Sequence, residues 1–126
     1  MSVSDCGRYA DIAYEYKKFD ICMVELSEPE PGSYVQGGYR PAVIVSNDMC
    51  NKFSPVMTVV PLTSQRKKYL PTHVNLCGFG LRGSGIALCE QVTTIDKTQI
   101  TKKIGYIHDK GVQNAINRAV CTQIAV

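Results

Sequence analysis

The sequence predicts a mainly β protein, a small closed barrel carrying helices, on three observations. Short apolar runs rich in valine and isoleucine recur along the chain. Glycine- and proline-bearing turn segments separate them. One long stretch of helical periodicity follows at the C-terminus. At 126 residues the chain suits one domain with a core large enough to fold without staples.

The elements follow in order. Tyr9, Ile12, Ala13, Tyr16 and Phe19 recur at roughly helical spacing, so residues 5–19 read as a short amphipathic helix. Residues 21–26 (ICMVEL) read as a first strand, and 27–34 (SEPEPGSY) as a loop with two prolines and a glycine. Gly37-Gly38 permits positive φ and close approach of a ligand to the main chain. Pro41 biases Arg40 towards an extended conformation, and Ala42 to Val45 reads as a buried strand. Asn47 and Asp48 can cap a short helical turn that Pro55 ends. Residues 56–62 (VMTVVPL) form the next strand, 72–76 a short one, and 77–85 a loop with four glycines. Residues 86–95 read as one strand carrying Glu90 and Gln91, and 100–107 as another. Asp109 caps a final helix whose stripe is Val112, Ala115, Ile116, Ala119, Val120 and Ile124.

Composition narrows the function classes. No apolar run is long enough to span a bilayer, and the N-terminus lacks a basic start and an apolar signal region, so a cytosolic protein is expected. Six cysteines without a C-x-x-C pair argue against structural zinc or a disulfide framework. Cys22, Cys77, Cys89 and Cys121 lie in apolar segments and read as small buried hydrophobes. No cluster has metal-ligand spacing, and no cofactor is implied. Net charge is +3, but residues 1–39 carry −4 and residues 40–126 carry +7, which suits an anionic partner for the second part.

Two segments carry the chemistry. Residues 36–46 (QGGYRPAVIVS) fix an arginine at a strand mouth beside a flexible loop, where a phosphate could be clamped bidentately. Taken alone, the stretch reads better as a Gly-Gly hairpin with a solvated arginine. A strand later, Thr63-Ser64-Gln65-Arg66-Lys67-Lys68-Tyr69 places hydroxyls, an amide, three cations and an aromatic ring at a strand end. Such a cluster suits single-stranded nucleic acid. A solvated lysine-rich loop is the plain counterpart. Glu90 and Gln91 have side chains that can read base edges. Neither His73 nor His108 is near Arg40 or Thr63 in sequence, and both read as structural.

These pieces, in this order, resemble the MazF/PemK family of toxin endoribonucleases from bacterial toxin–antitoxin pairs. The resemblance is carried by Gln36-Gly-Gly-Tyr-Arg-Pro41, Val45-Ser-Asn-Asp48, Asn51-Lys-Phe-Ser-Pro55, Pro61-Leu-Thr-Ser-Gln65, Leu70-Pro-Thr-His-Val74 and Glu90-Gln-Val-Thr-Thr-Ile-Asp-Lys97. It spans about residue 19 nearly to the C-terminus, so residues 1–19 form an extension and 20–126 the toxin domain. It implies an SH3-like β-barrel with a C-terminal helix that acts as a homodimer. It also implies sequence-specific, metal-independent cleavage of single-stranded RNA, with 2′,3′-cyclic phosphate and 5′-hydroxyl ends and arrest of translation and growth. A cognate MazE-like antitoxin is expected to silence the activity, and DNA to be engaged only through that antitoxin. By motif position Arg40 and Thr63 match the catalytic pair. Gln36, Gly37, Gly38, Tyr39, Ser64, Gln65, Arg66, Lys67, Lys68, Glu90 and Gln91 match RNA-binding neighbours. Val35 stands where the family often has an acid. The alternative is a non-enzymatic toxin of the same fold that poisons a protein such as DNA gyrase.

Overall fold

The computed structural model describes residues 16–65 and 68–125. Among these residues seven strands, β1 (Asp20–Leu26), β2 (Gly38–Ile44), β3 (Val56–Thr63), β4 (His73–Cys77), β5 (Ser84–Leu88), β6 (Thr93–Asp96) and β7 (Ile100–Tyr106), are accompanied by helical segments. These are α1 (Asp48–Phe53), single 3-10 turns at Cys89–Gln91 and Lys97–Gln99, and the terminal helix α2 (Lys110–Ile124). Strand order is β4-β5-β3-β2-β1-β7, with β6 also on β3, and every pairing is antiparallel.

β3 organises the molecule. It pairs β2 through Val59–Pro61, β6 through Val56–Val59, and β5 through Leu62 and Thr63. Because its two halves take different partners, the sheet bends along this strand. Alternate residues of the central strands therefore supply two separate cores. Ile21, Val43, Val60 and Leu62 join Ile107, Ile116 and Ala119 under α2. Cys22, Val24, Ala42, Ile44 and Val59 join Met57, Ile95 and Ile100. Among the described residues no ladder links β7 to β4. That side is closed by the 78–83 loop, whose Phe79 and Gly80 main chain presses on Ile104 and Gly105 of β7. The barrel-like mainly β fold with a C-terminal helix is as the sequence predicts.

The caps are also as expected. Asn47 accepts from Cys50 N at 2.9 Å, and Asp109 Oδ1 accepts from Val112 N at 3.1 Å; each satisfies an orphan amide of a first turn. Other expectations are corrected. The helix proposed for 5–19 lies outside the described residues except for 16–19, and these are not helical. Phe19 has φ 75° and is buried. Its N–H donates to Ile44 O at 2.7 Å and its carbonyl accepts from Ile107 N at 3.0 Å, so two backbone bonds hold it in a turn. The single strand proposed for 86–95 is two strands broken by the Cys89–Gln91 turn, which the bond from Cys89 N to Thr72 O (3.0 Å) draws towards β4. Of the cysteines, Cys22 and Cys89 are buried, and burial pushes their thiols up to about 12. Cys77 and Cys121, read as buried, are exposed because the strand end and helix face that carry them look outward.

One buried polar cluster has no counterpart in the sequence reading. Lys97 Nζ donates to Asn51 O at 2.6 Å, while Asn51 Nδ2 donates to Ser46 O at 2.9 Å. Both residues are buried, and together they fasten α1 and the Lys97–Gln99 turn beside β3. No helix among the described residues is long and apolar enough to cross a membrane.

Candidate active site

β2 opens and β3 closes at the same end of the sheet. Ala42 lies opposite Pro61, and continuing that register two residues sets Arg40 level with Thr63. The two meet in a cleft of about 390 Å³ lined by Gln36, Tyr39, Arg40, Thr63, Ser64 and Gln65, among others. The strand mouth and strand exit singled out in the sequence are thus brought together.

Three acceptors aim the guanidinium. Arg40 Nε donates to Gly37 O at 2.8 Å, and Nη1 donates to Gln36 Oε1 and, at 3.4 Å, to Leu62 O. All three are neutral, and among the described residues Arg40 forms no ion pair. Its charge is held in place without being cancelled, which is what an incoming phosphate requires. Thr63 is buried, only 6% exposed, and its Oγ1 accepts from Gln65 N at 3.2 Å. That bond fixes the oxygen and leaves the hydroxyl proton available to a second acceptor.

The two glycines serve this geometry. A side chain on Gly37 would collide with Pro29 and Ser27 of the preceding loop, and Gly38 has φ +75°. Only a bare main chain lets that loop fold back while Gly37 O faces Arg40. The acidic loop does lie here, with the Glu28 carboxylate against Gly38. Tyr39 is half exposed, its hydroxyl 3.0 Å from Thr101 Oγ1 on β7.

Glu90 and Gln91 sit in the Cys89–Gln91 turn, and both side chains are engaged within the protein. Gln91 Oε1 accepts from Gln36 N at 2.7 Å, and Nε2 donates to Tyr34 O at 3.0 Å. Gln91 therefore latches the loop whose Gln36 and Gly37 orient Arg40. That role was invisible in the sequence, since 55 residues separate the partners. Glu90 accepts from Thr72 Oγ1 at 2.9 Å and pairs with His73 Nε2 at 2.9 Å. His73 is thus a partner of Glu90, and the His108 ring lies edge-on to Phe79 with centroids 5.2 Å apart; neither histidine lines the cleft. Arg66 and Lys67 lie outside the described residues; Lys68 is exposed, as are Tyr69 and Leu70 beside it. No group of three His, Cys, Asp or Glu side chains among the described residues could hold a metal ion.

A pH prediction follows from Glu90. Burial alone would raise its carboxyl, but the bonds from His73, its own backbone and Thr72 outweigh this and hold it below its ordinary 4.5. A depressed folded-state pKa gives stability that is present above the unfolded value and lost as pH falls through the folded one. The stability advantage of the wild type over Glu90→Gln is therefore expected to be constant at neutral pH and to shrink below about 4.5. Thermal melts of both proteins across that range check it, and a gap that widens on acidification would contradict it.

Two further cavities adjoin the cleft. One, of about 220 Å³, shares Gln36 and includes Val35, Gln91 and Thr93. The other, of about 390 Å³, shares Ser64 and Gln65 and runs across β5 to β4.

Known proteins similar to this chain identify its family. The chain is 36% identical over 113 residues to endoribonuclease EndoA of Bacillus subtilis (strain 168), covering 87% of this chain and 95% of that protein. It is 36% identical over 107 residues to endoribonuclease MazF of Staphylococcus saprophyticus, covering 82% and 87%. Its fold is similar to that of a mycobacterial endoribonuclease solved in complex with its cognate antitoxin, with a TM-score of 0.69, 23% identity, and coverage of 88% of this chain and 96% of that one. The model of the PemK-like, MazF-like toxins of type II toxin–antitoxin systems matches residues 17–124, and with those relatives it establishes that the chain belongs to this family.

Proposed function

We propose that this protein is a metal-independent endoribonuclease toxin that cuts single-stranded RNA at the Arg40–Thr63 cleft. The observation that carries the reading is a guanidinium fixed by neutral acceptors beside a fixed threonine hydroxyl, with no ion pair to a carboxylate among the described residues. In this chemistry the RNA's own 2′-oxygen attacks the adjacent phosphorus. The bond from phosphorus to the 5′-oxygen breaks, the 2′-hydroxyl proton departs, and the leaving 5′-oxygen takes up a proton. The products are a 2′,3′-cyclic phosphate and a 5′-hydroxyl. Arg40 neutralises charge developing on the phosphoryl oxygens, while Thr63 donates its hydroxyl hydrogen to one of them and holds the group in line.

The relatives named as endoribonucleases favour cleavage over the poisoning of a protein target. The solved complex of a similar fold with an antitoxin supports a cognate antitoxin as partner, with an acidic segment over the uncancelled charge of Arg40 as the complementary chemistry. A homodimer acting on cytoplasmic mRNA completes the reading.

The test is incubation of the purified protein with single-stranded RNA in excess EDTA, followed by mapping of the cut ends. Discrete fragments with cyclic phosphate and 5′-hydroxyl termini are expected. RNA left intact, or cut only after magnesium is restored, would overturn the proposal.

A further inference from the structure

The cross-strand register places Thr63 of β3 opposite Ile86 of β5, and Ile86 opposite Asn75 of β4. Paired residues in an antiparallel ladder present their side chains on one face. Thr63, Ile86 and Asn75 therefore form a row running away from the cleft. Leu62, Ala87 and Val74, the flanking row, face the core under α2. With strands spaced about 4.8 Å apart, Asn75 stands about 10 Å from Thr63, a distance that the sugar and base of a neighbouring nucleotide span.

The cavity along this row shares Ser64 and Gln65 with the cleft and also takes in Asn75, Cys77, Ser84 and Ile86. Among the described residues none that lines it is charged. It combines an apolar floor with amide and hydroxyl groups at its rim, a composition that suits a nucleobase. The Asn75 side chain is exposed and makes no hydrogen bond within the described residues. Its carboxamide offers one donor and one acceptor side by side, the pattern that matches a base edge, adenine foremost.

We propose that Asn75 reads the base of a nucleotide flanking the cut, seated on Ile86 in this pocket. Resting on the nuclease reading above, the inference makes Asn75 a specificity-determining residue outside the reacting groups. An exposed strand position tolerates substitution, so Asn75→Ala should fold as the wild type does.

The experiment uses an RNA pool randomised around the cleavage site, cut in EDTA by wild type, Asn75→Ala and Asn75→Asp, with the cut ends sequenced. The expected result is loss of preference at one position flanking the cut, by about tenfold or more, with preferences elsewhere and total cutting of the pool retained. Asn75→Asp should change which base is preferred there, because it exchanges a donor for an acceptor. Preferences unchanged in both variants, or a uniform loss of cutting at all sequences, would overturn the assignment. In a second arm the same pool with 2′-O-methyl sugars, which cannot be cut, is selected for binding to wild type and Asn75→Ala. If the wild type cuts no RNA the nuclease reading falls, while the binding arm still decides Asn75. A base preference lost in Asn75→Ala supports the assignment, and identical enrichment, or none in either protein, refutes it.

Discussion

Arg40→Ala is expected to lower kcat for RNA cleavage roughly 10³-fold, on the scale of removing a donor or arginine that meets transition-state charge. KM should change far less. An RNA strand is held by many contacts along its length, whereas negative charge on the reacting phosphoryl group grows only as the bonds exchange. An interaction that strengthens at that moment acts on kcat. Arg40→Lys should recover only part of the loss, since lysine keeps the charge but cannot bond Gly37 O and Gln36 Oε1 while presenting a planar fork to phosphate. Single-turnover cleavage beside binding of a 2′-O-methyl RNA separates the two effects. Equal cutting by wild type and Arg40→Ala would remove Arg40 from the chemistry, and a loss confined to binding would make it an anchor. A third possibility, that the substitution merely unfolds the protein, is checked by the melting temperature. The three acceptors of Arg40 lie at a solvent-facing cleft, where water can replace the guanidinium.

The pairing of Arg40 with Thr63 was expected from the family resemblance, and the strands that realise it were legible from short-range rules. Pro41 and the β-branched run set one strand, the run 56–62 sets the next, and both chemical motifs sit at ends that antiparallel pairing brings level. The break at Cys89–Gln91 was not legible, because residues 86–95 are continuously strand-like in composition. What turns the chain is a set of bonds from Thr72 and His73, 17 and more residues away. The structural part of Gln91 was hidden for a related reason: its side chain bonds Tyr34 and Gln36, which lie more than fifty residues away. Lys97 stood in a polar segment and suggested nothing, because its buried partner, the Asn51 carbonyl, belongs to another element. Local pattern identifies strands and caps; side chains that tie distant loops together show only once the fold has joined them.

Gly105→Ala is expected to be among the most damaging single substitutions in the described chain, costing roughly 3 kcal/mol or more and lowering the melting temperature by about 10 °C or more. A Cβ at this position would run into the Phe79 carbonyl, a main-chain atom that no rotamer change can clear. Gly105 is fixed from the other side, since its strand pairs β1 with Gly105 opposite Ile21 in the core. The 78–83 loop must therefore move. Phe79 and Leu81 are packed against the core under α2, so lifting the loop returns their apolar surface to water. The cost is thus a loss of packing rather than of backbone conformation, and Gly83 provides the control. Gly83 has φ +77° and nothing within 4 Å of an added Cβ, so Gly83→Ala should cost only about 1 kcal/mol of backbone strain. Melts of the two variants decide the matter: equal losses would show that glycine conformation, not close approach, governs this loop. A larger loss at Gly105 would establish that, where the described residues form no ladder, the barrel is closed by main chain resting on main chain. The same loop joins Cys77 to Ser84, both at the wall of the pocket beside the cleft. A milder variant that shifts the loop without unfolding the protein, such as Leu81→Ala, should therefore alter base preference at the Asn75 position before it alters the rate of the cut.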